Sequence, residues 1–197
     1  MPHNTSVLTS LNRYKVNMTI LNELTGGDLR SDGKADEVAE KVLRNPLLLK
    51  ELIEGLHSSD DVIKMRTAHA LEYISRKNPE LLEPVKPTLV NSASDTLPEV
   101  RWHLAQIFGN VPLSQKERDA VVSILFDYLD GESILVKAWS IESLGALAEK
   151  DGDIRDRIIQ RIEPFQNDKS PAVRKRALKV VRNLTDGRIL FPQVGLS

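Results

Sequence analysis

The chain contains no cysteine. That excludes disulfides, thiolate metal sites and a cysteine nucleophile together. Aromatic residues make up only 5%, with two Trp, so a core must rest on Leu, Ile, Val and Ala. Such an aliphatic core suits packed helices better than a sheet. Neither sign of charge dominates: 27 Lys and Arg stand against 28 Asp and Glu, a net charge of −1, so the whole chain is not drawn to nucleic acid or an acidic membrane. No apolar run approaches the roughly 18 residues of a membrane span. The start, Met1-Pro2-His3-Asn4-Thr5-Ser6, lacks the basic region and apolar stretch of a signal peptide. These absences lead to the expectation of a cytoplasmic protein. Gly26-Gly27 has neither Gly-x-Gly spacing nor the Lys-Ser/Thr of a phosphate loop.

What the chain does have is a repeat. Its 197 residues, 41% apolar and 28% charged, are ordinary for one globular domain. Four segments align without gaps: Ile63–Ile74, Val100–Val111, Val136–Leu147 and Val173–Leu184. They begin at residues 63, 100, 136 and 173, a spacing of 37, 36 and 37. Each opens with a β-branched apolar residue followed by Lys or Arg. Counting that residue as zero, offsets 4, 7, 8 and 11 are apolar or small, with Thr67, Ser140 and Ser143 as departures. At about 100° per residue these offsets form one packed stripe of a helix.

A second amphipathic stretch precedes each segment: Leu47 to His57, Pro79 to Val90, Gln115 to Leu129 and Ile154 to Phe165. The turns between the paired helices carry Asp60-Asp61, Asp95, Asp130-Gly131 and Asp168, whose side chains can accept from free N–H groups of the following helix. Pro98 and Pro171 fall just inside helix starts, where the missing N–H costs nothing. Ser114 to Glu117 reads as a capping box. Pro84, Pro87 and Pro164 are expected to kink or shorten the first helices of their pairs.

Asp, then Val-Arg-x-x-Ala, with Leu-Gly beyond, resembles the second helix of HEAT repeats. Asp95, Val100-Arg101 and Phe108-Gly109 carry the likeness, as do Val136-Lys137 with Leu144-Gly145, and Asp168 with Val173-Arg174 and Ala177. The first repeat departs most, with Thr67 in the Ala place and Glu72 in the Gly place. Tetratricopeptide repeats fit less well, their period being about 34 residues. The resemblance implies an all-α fold, a right-handed solenoid of about four HEAT-like helix pairs. The expected division is 46–78, 79–112, 113–150 and 151–188, with 1–45 as an N-terminal helical cap and 189–197 as a tail. Within the cap, Val7 to Leu24 and Asp36 to Leu43 read as helices. Ile189-Leu190-Phe191-Pro192 reads either as a C-terminal cap or as a segment that docks into a partner.

No residue set amounts to an active site. His3, His57, His69 and His103 form no i,i+4 metal pair, and none precedes Glu. The His-Glu dipeptides through which the HEAT-like deoxyhypusine hydroxylases bind iron are therefore missing. We expect a non-enzyme with no catalytic residues, no metal and no cofactor.

In HEAT solenoids the second helices line the concave side. Offsets 2, 6 and 9, opposite the packed stripe, hold Met65, His69 and Glu72, then Trp102, Gln106 and Gly109, then Ala138, Glu142 and Gly145. Offset 3 adds Arg66, His103 and Trp139. Trp couples apolar area to an N–H donor and suits a binding hot spot. Trp102 and Trp139 read either as such anchors or as fillers between repeats. The last segment is basic, with Arg174, Lys175, Arg176, Lys179 and Arg182, followed by Arg188. These cations could meet phosphates or an acidic peptide, or simply solvate a helix end. The leading expectation is a protein- or peptide-binding scaffold. A nucleic-acid-binding solenoid, similar to the DNA alkylation-repair glycosylases, is the alternative, and an accessory subunit engaged by its ends is a third.

Overall fold

The computed structural model describes residues 19–186. Among them every regular element is helical and none is a strand. The helices are α1 (Ala35–Arg44), α2 (Leu49–Glu54), α3 (Asp61–Lys77), α4 (Lys86–Ser92), α5 (Pro98–Asn110), α6 (Gln115–Asp130), α7 (Ile134–Lys150), α8 (Arg155–Ile162) and α9 (Pro171–Asp186). Of the helix expected over residues 7–24, the described end forms a 3-10 turn, Ile20–Leu24. The earlier part of that stretch, and Ile189 to Pro192, lie outside the described residues.

Helix starts follow the capping signals. Asp60 accepts from the Val62 and Ile63 amides at the start of α3. Ser114 and Glu117 form the reciprocal capping box of α6, and Ser133, not Asp130, caps α7. Proline sits in the first turn of α5 and α9. The first helices of the second and fourth pairs are shortened at their prolines. Pro84 lies within a 3-10 stretch, Pro79–Val85, that leads into α4, and Pro164 in another, Glu163–Asn167, that follows α8.

The second helices α3, α5, α7 and α9 stack side by side, and α3, α7 and α9 also pack on the first helical segments of their own pairs. The result is an α-solenoid of helix pairs. At the N-terminal end α1 lies against α3 as each second helix lies against the next. Every residue at offsets 4, 7, 8 and 11 is buried except Val181, which is half-buried. Burying that stripe removes apolar surface from water at about 25 cal/mol per Å², the main term holding the pairs together.

Two departures from the apolar stripe mark close approaches. A Cβ on Gly109 would stand 2.8 Å from Ser143 Oγ and 3.2 Å from the Ser143 Cα. Offset 7 of the third repeat is therefore small because the α5 backbone comes up against it. Likewise a Cβ on Gly55 would meet Thr67 Oγ1 at 2.1 Å. Lys150 at the end of α7 then donates to the Gly109 carbonyl at 3.2 Å, tying the same two helices.

The Gly109→Ala variant should lose about 1–3 kcal/mol of stability by overpacking, although Ala is the better helix former. Ser143→Gly in that background should restore part of it in a urea-unfolding double-mutant cycle. A Gly109→Ala protein as stable as the native one would refute the close-approach account.

Candidate binding face

The residues singled out from sequence do not share one level of exposure. Met65, Arg66, Glu72 and His103 are buried. His69 keeps 14% of its side chain exposed, and Trp102, Gln106, Trp139 and Glu142 are half-buried. The cause is the stack. Each interior second helix has a neighbour on either side and a first helix behind it, so only a narrow strip faces outward. Spacing of three and four residues then selects the strip: His69, Tyr73 and Arg76 on α3; Trp102, Gln106 and Asn110 on α5; Leu135, Trp139 and Glu142 on α7.

Side chains at matching positions meet across the stack. His69 Nε2 lies 2.8 Å from Asp36 Oδ1 on α1, and the Tyr73 hydroxyl donates to Glu40 at 2.6 Å. The His69 and His103 rings meet edge to face with centroids 5.0 Å apart. On the far side the Arg176 guanidinium lies 4.8 Å from the Trp139 ring centroid. Glu142 receives Lys179 at 3.1 Å and Arg176 at 3.4 Å. One face of Trp139 is thus occupied from within, while Trp102 stacks on His103 with centroids 3.7 Å apart.

The buried members have structural work. Arg66 Nη1 donates to the carbonyls of Leu24, Thr25 and Gly26 at 2.9, 3.1 and 2.6 Å, and its Nε to that of Ser31 at 3.0 Å. This one side chain gathers the loop that brings α1 onto α3. Gly26 and Gly27, both at φ +78°, supply the left-handed turn that aims those carbonyls inward. Glu72 pairs with Arg76 at 2.7 Å, and burial pushes its carboxyl up despite that neighbour. Neither ring nitrogen of His103 has a hydrogen-bond partner among the described residues. Burial, reinforced by His69 and Arg76, pulls its pKa down to about 3.

Of the basic cluster, Arg174 donates to the Asp168 carbonyl, while Arg176 and Lys179 share Glu142. Lys175 and Arg182 are exposed. Sequence reasoning missed Tyr73, Arg76 and Leu135. Tyr73 and Arg76 continue the spacing of His69, which was the available signal, and Leu135 precedes Trp139 by one turn. Leu135 is 53% exposed, unusual for its size. No three of His, Asp and Glu come together as metal ligands among the described residues. No helix there is long and apolar enough to cross a membrane.

No family model and no curated protein sequence matches the chain. Solved structures do. An engineered protein superposes with a TM-score of 0.64 at 16% identity, over 94% of this chain and 87% of that one. A designed armadillo repeat protein in complex with the peptide (KR)4 gives 0.62 at 16% identity, over 84% and 72%. A computationally designed armadillo repeat protein for modular peptide recognition gives 0.60 at 17%, over 83% and 80%. At such identities the likeness establishes the fold, a helical repeat solenoid.

The folded His103 ring refuses a proton that the unfolded chain takes up below its ordinary 6.5, down to about 3. Its contribution to stability is full above that window and declines as pH falls through it, by about 1.4 kcal/mol per pH unit. Between about pH 7 and about pH 5 the native protein should lose about 2 kcal/mol more than His103→Leu. Parallel urea-unfolding curves for the two proteins across that range would show the idea to be wrong.

Proposed function

We propose that the chain is a non-enzymatic binding scaffold whose second-helix face holds a protein or peptide segment, with Trp102 as the central anchor. The observation carrying this reading is the outward strip itself. Trp102, Leu135 and Trp139 present apolar surface there on adjacent helices, where interior packing leaves room for little else. Large half-exposed aromatics ringed by polar groups such as Gln106 and Glu142 are the usual composition of an interface centre and rim. Structural neighbours designed for peptide recognition support the reading, as does a rigid face already built before any partner arrives.

Nucleic acid remains the second reading, through the cations of α9. Against it, Glu142 engages two of those cations and Arg174 is spent on its own turn. A phosphate-driven mode needs many such contacts in a broad field.

The test is selection from a displayed peptide library on the immobilised chain, run beside Trp102→Ala. Enriched peptides should bind the native chain and lose affinity by at least about tenfold on Trp102→Ala, with helical circular dichroism unchanged. Equal enrichment on both proteins, or none on either, would remove this face as the binding site.

A further inference from the structure

The outward strip is electrically graded. At the α1 end stand Asp32 and Asp36, with side chains 62% and 64% exposed. At the α9 end stand Lys175, Arg176, Lys179 and Arg182. The apolar group Trp102, Leu135 and Trp139 lies between. Glu142 on α7 lies between two cations of the basic end, 3.4 Å from Arg176 Nε and 3.1 Å from Lys179 Nζ.

That arrangement already accommodates a carboxylate, supplied by the chain itself. The Arg176 guanidinium carbon also lies 4.8 Å from the Trp139 ring centroid, a cation–π contact that restricts where this donor group sits. Lys175 and Arg182 extend the cationic surface outward beyond what Glu142 can neutralise. A basic segment laid here would meet charge of its own sign next to the aromatic surface. An acidic one would find donors beside an apolar seat.

We infer that the α9 end of this face takes a linear peptide in which carboxylates flank a bulky apolar side chain. The apolar side chain rests on Leu135 and the two Trp, and the carboxylates engage Lys175, Lys179 and Arg182, competing with Glu142 for its partners. The inference rests on the peptide-binding reading above and gives that site its ligand class.

Fluorescence anisotropy on the full chain tests it, using a short labelled peptide of alternating glutamates and Leu-Phe pairs, with lysine and glutamine counterparts. The glutamate peptide should bind about tenfold tighter than the glutamine one at low salt, the advantage shrinking as salt rises. Glu142→Gln removes an internal competitor and should raise affinity for the glutamate peptide by about threefold relative to its effect on the glutamine peptide. A gain of that kind does not arise from misfolding. Lys175→Glu with Arg182→Glu should abolish the preference.

Equal or tighter binding of the lysine or glutamine peptide overturns the acidic assignment. If Trp102→Ala weakens those peptides too, the groove reading survives it. Failure of every probe while the library still yields Trp102-dependent peptides also sinks only the acidic assignment. Failure of both experiments removes the groove with it. Salt-sensitive binding of a labelled DNA duplex, tighter than any of the peptides, would overturn the inference in favour of phosphate.

Discussion

A two-helix repeat cannot cover its own apolar stripe, and the whole chain follows from that deficit. Each second helix must lie against the next, and the separation is fixed where the smallest side chains meet. Gly109 against Ser143 between second helices, and Gly55 against Thr67 within the first pair, leave no space for even one added carbon without displacement. Between neighbouring pairs, Lys64 reaches Asp95 at 3.2 Å, Lys86 reaches Glu117 at 3.0 Å and Arg161 reaches Asp130 at 2.6 Å. Of these, Arg161 with Asp130 is the most exposed, and a surface pair of that kind contributes only about 0–1 kcal/mol. Their spacing is informative all the same: each joins one repeat to its neighbour, so together they favour one register.

The N-terminal end satisfies the same deficit by different means. α1 covers the open flank of α3, and Arg66 secures the loop that places it. The guanidinium reaches carbonyls of residues far from it in sequence, trading hydration for charge-assisted hydrogen bonds worth about 1.5–3 kcal/mol each. Buried cations are tolerated only where such donors and acceptors are complete. Arg66, on the second helix of the first repeat, thus anchors the part of the chain outside the repeat.

Stacking also decides which residues are left at the surface. Flanked by neighbours, an interior second helix keeps little more than one strip, so Met65, Glu72 and His103 become structural while Tyr73, Arg76 and Leu135 become surface. His103 is the clearest consequence. A histidine that sequence places beside a groove is instead sealed, neutral and without a polar partner among the described residues.

The sequence by itself determined the repeat, its period, most of the helix caps and the helices shortened at Pro84 and Pro164, because local hydrogen bonding and the helical period act within a few residues. It also pointed to the second helices as the candidate face, and Trp102, Gln106, Trp139 and Glu142 are among the residues on the outward strip. Only the tertiary structure decided which polar residues stay outside. Exposure depends on how far a helix rotates and how closely its neighbours approach, and those are set by contacts such as Gly109 with Ser143 between residues a full repeat apart. The pairing of Glu142 with Arg176 and Lys179, and of Arg66 with the carbonyls of the N-terminal loop, was equally invisible in one dimension, since no local spacing specifies which side chain of the next repeat lies opposite.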